Sequence, residues 1–170
     1  MAGRVLPAAR PELGDRVQPE LYRSMIETNT PVCTTLAEVR DALRRSRRAL
    51  IEAAGREGLR IAAAGTHPFS SWEDQEVTPK RRYHNLAEDY RQLFREEVVF
   101  GCHVHVGIED REAAIQTMNR VRPWLPVLLA LSGNSPYWLG ADTGYASYRT
   151  EVWTRWPLTG MPEPLASFVA

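Results

Sequence analysis

The fold that the sequence predicts is decided by one stretch, Val98–Ile108, which reads VVFGCHVHVGI. Its apolar and β-branched residues predict a strand, the clearest in the chain. Because side chains alternate between the two faces of a strand, His103 and His105 are predicted to project together, opposite Cys102. Gly101 belongs to the histidine face and leaves room beside it. Two such imidazoles can bind a metal ion or an anionic ligand, and a hydrogen-bonded histidine pair on a polar sheet face accounts for the pattern equally well.

Helices and further strands are predicted on both sides of this stretch. Thr35 followed by Glu38 is a capping box, which predicts a helix that ends near Gly55 or Gly58 and has a solvated, arginine-rich outer face. Two more helices are predicted to begin after Asn85 and Asp110. Short runs predict the remaining strands, at Glu20–Thr30, Leu59–Ala64 and Ala146–Thr154.

Segments rich in proline and polar residues separate these elements. Residues 1–19 contain three prolines without a clear period, which predicts an irregular N-terminal arm. The polar stretch Gly65–Tyr83 is predicted to be a long loop, and loops of this length tend to be functional. The resulting order of elements fits a parallel α/β sheet or an antiparallel α+β sheet, and periodicity does not decide between them.

Composition excludes several classes of protein. The chain has 170 residues, 44% of them apolar and 25% charged, and its net charge is zero. We therefore expect one globular unit without an electrostatic affinity for nucleic acid. It has no apolar run long enough to span a membrane and no secretory signal in residues 1–16, so a cytoplasmic protein is expected. Two cysteines form neither a disulfide framework nor a zinc site by themselves.

Three further side chains are candidates for binding chemistry. Glu27 lies on the polar face of a predicted strand, where it could hold Mg²⁺ or simply face solvent. Arg149 in the last predicted strand suits bidentate binding of a phosphate or carboxylate, and a surface ion pair is the alternative. His67 lies in the long loop, where it could contact a ligand or hydrogen-bond the loop to itself.

Several common active-site motifs are missing from the sequence. It contains no phosphate-binding loop of the G-x-x-x-x-G-K type and no G-x-G-x-x-G or G-x-S-x-G motif. A bound nucleotide would therefore have to be held by metal ions and by side chains on a sheet. A metal-dependent hydrolase built on His103 and His105 is a weaker alternative, because the sequence supplies no third ligand for it.

A set of short motifs, in a fixed order, resembles the type 2 glutamate–cysteine ligases, also called the carboxylate–amine ligase family. The resemblance covers residues 15–163, and no single motif carries it. The motifs are AAGTHPF (63–69), QEVTP (75–79), RY (82–83), GCHVHVG (101–107), NSP (134–136), DTGYASYR (142–149) and WT (153–154).

The resemblance implies an α+β fold related to glutamine synthetase, with a curved, largely antiparallel sheet and helices packed on one face. It implies an ATP-dependent ligase that joins glutamate to an amine, usually cysteine, through an acyl phosphate. ATP and Mg²⁺ (or Mn²⁺) are the expected cofactors. The expected partners are small-molecule substrates, with no nucleic acid and no membrane, and the chain could form a homo-oligomer.

Site roles follow by matching residues to the family's motifs. Glu27 and His103 correspond to metal-facing positions, and His105 lies beside His103 in the funnel that the implied curved sheet forms around ATP, metal and glutamate. Arg149 corresponds to an arginine that contacts the phosphoryl group, and His67 borders the glutamate or amine pocket.

The sequence also departs from the family. Its members are longer and open with an acidic G-V-E-x-E-x strand that nothing in residues 1–16 matches. An incomplete member is therefore expected, which lacks that strand and the C-terminal half. Residues 20–170 would then form a partial ligase catalytic domain. The alternative is a non-catalytic remnant that binds a ligand or a partner.

Overall fold

The computed structural model describes residues 2–168, which divide into two compact units. The first contains the described residues up to Ala63 together with Trp72–Phe94, and the second contains Ala64–Ser71 and the described residues from Arg95 onward. Position 1 of the predicted arm and positions 169 and 170 of the predicted catalytic domain lie outside the described residues. The prediction of one partial catalytic domain over 20–170 stays a prediction.

The first unit begins with a helix where an irregular arm was predicted. Helix α1 spans Ala2–Leu13, a 3-10 turn follows at Gly14–Arg16, and strand β1 spans Val17–Pro19. The prediction of an irregular arm over 1–19 is therefore wrong for residues 2–19. The helix forms because its apolar residues recur at helical spacing and are buried, while both internal prolines are exposed. The buried positions are Ala2, Val5, Leu6, Ala9 and Leu13.

Strand β1 pairs with a second short strand that carries a candidate site residue. Strand β2 spans Ile26–Thr28 and runs antiparallel to β1, with Glu27 opposite Gln18. Glu27 is exposed, as the alternation of its neighbours predicts for a polar strand face.

The capping box predicts the long helix of the first unit correctly. Helix α2 spans Leu36–Arg56, and the Thr35 hydroxyl accepts a hydrogen bond from the Glu38 backbone N–H at 3.2 Å. In the second bond of the capping box, the Glu38 carboxylate accepts from the Thr35 backbone N–H at 3.1 Å. The predicted arginine-rich face is exposed, and the opposite face packs small residues against α1.

Two shorter helices lie where the first unit ends along the chain. Helix α3 spans Arg81–Tyr90 and ends at Arg91, whose φ of 51° breaks the helical path. Helix α4 spans Gln92–Arg95. Asn85 lies inside α3, so the prediction that it caps a helix is wrong. The predicted loop, Gly65–Tyr83, contains a 3-10 turn at Trp72–Asp74 and isolated bridges at Thr66 and Val77, and its last three residues begin α3.

The second unit contains the remaining helices and one small hairpin. Asp110 caps α5 as predicted, because its carboxylate accepts from the Ala113 backbone N–H at 2.6 Å. The prolines near the end of α5 introduce a 3-10 turn before the next helix. The elements are α5 (Arg111–Val121), a 3-10 turn (Arg122–Trp124), α6 (Leu125–Ser132), β3 (Tyr137–Trp138), β4 (Ala141–Asp142) and α7 (Tyr148–Trp153).

Three predicted strands are absent from the described residues. Leu59–Ala64 is irregular, and Val98–Ile108 makes only one isolated bridge, between Val99 and Thr66. A strand needs a partner for its backbone hydrogen bonds, and residues 101–108 have no ladder partner within the described part of the chain. The predicted strand Ala146–Thr154 is helix α7 over most of its length.

The fold class is α+β, as predicted, because helices are combined with small antiparallel sheets. Between residues 2 and 168, the strands form two separate two-stranded sheets, β1–β2 and β3–β4. The curved sheet that the resemblance implied is not formed by these residues, since the strand predicted at Val98–Ile108 makes no ladder. No helix in the described range is both long and apolar enough to cross a membrane.

Candidate functional site

Two candidate side chains of the second unit, those of Arg149 and His103, lie close to Gly101. A Cβ atom at Gly101 would lie 3.4 Å from Nη2 of Arg149 and 3.5 Å from Nε2 of His103. Glycine therefore leaves a space between a guanidinium and an imidazole, both of which can bind anions. Arg149 reaches this position from α7, so the prediction that it lies in a strand is wrong, and its guanidinium lies near the histidine stretch.

The guanidinium of Arg149 is held from two directions. Its Nε donates to the carbonyl oxygen of Phe100 at 2.7 Å, and its guanidinium carbon lies 5.2 Å from the centroid of the Trp153 ring. Burial lowers the pKa of Arg149, and the charge of Glu97 opposes that effect. Arginine remains protonated in proteins, so this half-buried group is a fixed positive charge.

The two histidines of the central stretch lie near each other and face solvent. The ring centroids of His103 and His105 are 5.9 Å apart, and both residues are exposed. Within residues 2–168, no three histidine, cysteine, aspartate or glutamate side chains gather into a group that could hold a metal ion. The hydrolase alternative therefore gains no third ligand from the described residues.

His67 hydrogen-bonds its own loop. Its Nδ1 accepts from the backbone N–H of Ser70 at 2.9 Å and, more weakly, from that of Phe69 at 3.4 Å. The Phe69 ring packs edge-on against the imidazole, with the centroids 4.7 Å apart. Because Nδ1 accepts these bonds, the neutral ring carries its proton on Nε2.

The NSP motif fixes this loop to the rest of the second unit. Oδ1 of Asn134 accepts from the Gly65 backbone N–H at 3.2 Å, and a Cβ atom at Gly65 would lie only 2.7 Å from that oxygen. Buried Ser135 accepts from the Arg149 backbone N–H at 3.2 Å. The motif therefore positions both the His67 loop and the start of α7.

Glu27 belongs to the other unit. Its carboxylate is exposed on β2, while His67, His103, His105 and Arg149 all lie in the second unit. The predicted metal site shared by Glu27 and His103 stays a prediction.

A buried carboxyl group, Glu97, interacts with the charge of Arg149 and was not predicted from the sequence. It is 7% exposed, and its Oε2 accepts a hydrogen bond from the Trp156 indole N–H. Its Oε1 is buried without a hydrogen-bond partner among the described residues. Burial raises the pKa of Glu97, against the opposing effects of the Trp156 hydrogen bond and the charges of Arg149 and Arg155.

A signal for Glu97 is present in the sequence. Continuing the alternation of the predicted strand by one residue would have placed Glu97 on the same face as Gly101 and His103. Trp156 gives no comparable signal, because it lies 59 residues further along the chain.

Comparison with known proteins matches residues 3–168 to glutamate-cysteine ligase family 2 (GCS2). Three relatives share the printed name "Putative glutamate--cysteine ligase 2". The protein from Rhodopirellula baltica is 51% identical over 151 residues, which are 89% of this chain and 41% of that relative. Those from Solibacter usitatus and Herpetosiphon aurantiacus are 47% and 45% identical, over 89% and 92% of this chain and 39% and 40% of their own lengths.

The chain thus spans about two-fifths of the length of the relatives it matches. The family match covers nearly all of the described residues, including the central histidine stretch and the arginine of α7. It confirms the resemblance found in the ordered motifs: the chain belongs to glutamate-cysteine ligase family 2.

Proposed function

We propose that this chain carries part of the active site of an ATP-dependent carboxylate–amine ligase that joins glutamate to cysteine. The γ-carboxylate of glutamate attacks the γ-phosphorus of ATP, so that an acyl phosphate forms and ADP leaves. The amine nitrogen of cysteine then attacks the acyl carbon. The C–N bond forms, phosphate leaves and the nitrogen loses a proton, giving γ-glutamylcysteine, a precursor of glutathione. Family membership supports the reaction class.

The observation that carries the proposal is the position of Arg149 over Gly101, beside His103. Negative charge is spread over the oxygens of a phosphoryl group during transfer, and catalysis of that step consists mainly of positioning and electrostatic stabilisation. The Nε of Arg149 is occupied by the Phe100 carbonyl. Its terminal nitrogens are then the donors that contact the phosphoryl oxygens, with the absent Cβ of Gly101 leaving space for them.

ATP and Mg²⁺ (or Mn²⁺) belong to this proposal. Mg²⁺ requires several oxygen ligands in near-octahedral geometry, and residues 2–168 do not gather three candidate ligand side chains. His103 and His105 also offer nitrogen, which this hard ion disfavours. The described residues by themselves therefore do not fit a magnesium site, and the role proposed for Arg149 is purely electrostatic.

The fold relationship to glutamine synthetase and a cytoplasmic location complete the proposal. The observed α+β class agrees with the fold relationship at the level of class. A cytoplasmic location would supply the ATP and the amino acid substrates.

Release of ADP tests the proposal directly. The purified chain is incubated with ATP, Mg²⁺ and glutamate, with and without cysteine, and ADP is measured. We expect cysteine-dependent ADP release, and Arg149→Ala should lower it by roughly 10²-fold or more, the usual loss when a group that stabilises transition-state charge is removed. Arg120→Ala, which changes an exposed arginine of α5, is the matched control. Absence of ADP release would contradict the proposal for this chain.

A second candidate function is a non-catalytic binding module. The observation that favours it is the exposed, unpaired stretch after Gly101, in which the side chains of Val104 and Val106 are 85% and 73% exposed. Unpaired backbone with apolar side chains is a template for pairing with another chain. This candidate predicts association without nucleotide turnover.

A further inference from the structure

Buried Glu97 is connected to Arg149 through two tryptophans. The Trp156 indole N–H donates to Oε2 of Glu97, and the Trp156 ring lies 6.4 Å from the Trp153 ring, centroid to centroid. The Trp153 ring in turn lies 5.2 Å from the Arg149 guanidinium carbon. Both separations are within the range of attractive ring–ring and cation–ring contacts. A hydrogen bond and two ring contacts therefore lead from the carboxyl group to the guanidinium.

The carboxyl group is unusual for a purely structural role. A buried carboxylate is costly unless each oxygen is hydrogen-bonded, and Oε1 of Glu97 has no partner among the described residues. A neutral, apolar residue of similar size would avoid that cost. A function for the charge or for the acceptor would account for an acid at this position.

The charged groups around Glu97 come from two parts of the second unit. Arg149 on α7 and Arg155 just after it both act on the carboxylate with a favourable charge. Arg155 is itself paired with the neighbouring Glu96 through a short ion pair. Arg149 has no carboxylate within salt-bridge distance among the described residues. No ion pair therefore competes with Glu97 for the orientation of its guanidinium.

We propose that Glu97 is a positioning residue: through Trp156 and Trp153 it holds the Arg149 guanidinium over Gly101, in the orientation required for contact with a phosphoryl group. The inference rests on the proposed function, because that function gives Arg149 its role. Glu97 is not proposed to touch substrate. Its carboxylate fixes the Trp156 indole, the indole fixes the Trp153 ring, and that ring supports one face of the guanidinium while the Phe100 carbonyl holds its Nε.

The first test needs no enzymatic activity. In ¹H–¹⁵N NMR spectra of the chain, the Trp156 indole signal and the Arg149 Nε signal are assigned by their loss in Trp156→Phe and Arg149→Lys. Titration of Glu97 should move the indole signal, with an apparent pKa above the ordinary glutamate value of 4.5. The Arg149 Nε signal should follow the same curve. Both movements should vanish in Glu97→Gln and persist in Glu88→Gln, a matched change of an exposed glutamate on α3.

Two results would overturn the inference, and neither depends on ligase activity. An indole signal that does not titrate would mean that Glu97 is not bonded to Trp156. An indole signal that titrates while the Arg149 signal stays fixed would mean that Glu97 does not act on the guanidinium.

Kinetics then test the positioning role and separate it from the proposed function. In a chain that releases ADP, Glu97→Gln should lower kcat several-fold and leave the KM for ATP nearly unchanged, because the neutral Gln amide holds the Trp156 indole more weakly than a carboxylate does. The fold-losses of Glu97→Gln and Arg149→Lys should not multiply in the double variant, since both act on the same guanidinium. Losses that multiply would overturn the inference while leaving the ligase proposal standing. Absence of ADP release in the wild type with coupled NMR titrations would contradict the ligase proposal alone.

Discussion

Two glutamates of this chain show how surroundings decide the behaviour of one side-chain type. Glu38 is exposed at the start of α2, where hydrogen bonds from the Thr34 backbone and side chain and from Thr35 lower its pKa. Glu97 is buried, and loss of hydration raises its pKa despite the Trp156 hydrogen bond and two nearby arginines. The carboxylate of Glu38 is thus stabilised by folding, whereas that of Glu97 is destabilised.

The raised pKa of Glu97 predicts a pH-dependent stability that Glu97→Gln should abolish. A group whose pKa is higher in the folded state contributes stability that is fully present below its unfolded pKa. That contribution is lost as the pH rises from 4.5 through the raised value. Urea unfolding at a series of pH values between 4 and 8 measures it as the difference between wild type and variant. Subtraction cancels Glu38 and Glu112, whose lowered pKa values act in the opposite direction.

We expect the wild type to lose unfolding free energy relative to Glu97→Gln across this window, and Glu88→Gln to track the wild type. A constant difference between wild type and Glu97→Gln at all pH values would show that Glu97 has the same pKa in both states.

At the residue scale, sequence reasoning selected side chains that belong to motifs and did not select Glu97. Arg149, Gly101 and His103 stand in recognisable motifs, and the structure brings the three together. Glu97 belongs to no motif, and its partner Trp156 is 59 residues away. Burial and long-range contacts of this kind are properties of the fold, so local pattern alone does not reveal them.

At the scale of elements, the sequence predicted helices with clear caps better than strands. Helices α2 and α5 begin where Thr35 and Asp110 predict, because a cap is a local interaction among residues a few positions apart. The strand predicted at Val98–Ile108 lacks a ladder in the described residues, since a strand depends on a partner that its own sequence does not specify. Helix α1 was missed because Pro7 and Pro11 conceal its apolar period.

The cap of α2 supplies a stability prediction. Thr35→Ala removes the hydroxyl that accepts from the Glu38 backbone N–H, so it should lower the unfolding free energy by about 1 kcal/mol. Urea unfolding followed by far-UV circular dichroism measures the change. Thr30→Ala, at an exposed position before the helix, serves as the control and should be close to neutral. Equal effects of the two substitutions would mean that the capping box adds no stability.

Close packing of α1 on α2 supplies a second prediction. Ala53 is fully buried in the cluster that joins the two helices, and buried side chains of this kind are closely packed. Ala53→Leu should therefore destabilise the chain by about 1–3 kcal/mol through overpacking. Ala37→Leu makes the same change at an exposed position of the same helix and should be nearly neutral. A neutral Ala53→Leu would contradict the packing of α1 against α2.

At the scale of the whole molecule, the two units differ in how they use apolar residues. The main cluster of buried apolar residues lies in the first unit, between α1, β1 and α2. The second unit exposes many large apolar side chains, among them those of Trp124, Leu128 and Leu131 on and beside α6. Exposed apolar surface of this extent is typical of a surface that contacts another chain or segment.

The unpaired stretch after Gly101 predicts that this chain associates with a second copy of itself. Identical stretches from two copies can form the backbone ladder that residues 101–108 lack within the described chain, and Val104 and Val106 would be buried between them. Val104→Lys places a charge in that contact and should shift the monomer–dimer equilibrium toward monomer by tenfold or more, measured by sedimentation over a range of concentrations. A tenfold shift corresponds to about 1.4 kcal/mol, which is slightly less than full burial of one valine side chain contributes. Val32→Lys introduces the same charge at a valine that is 98% exposed near α2, and it should leave the equilibrium unchanged. Equal weakening of association by both variants would mean that added charge, and not this stretch, is responsible. A wild type that stays monomeric at all concentrations would mean that the unpaired stretch does not mediate self-association.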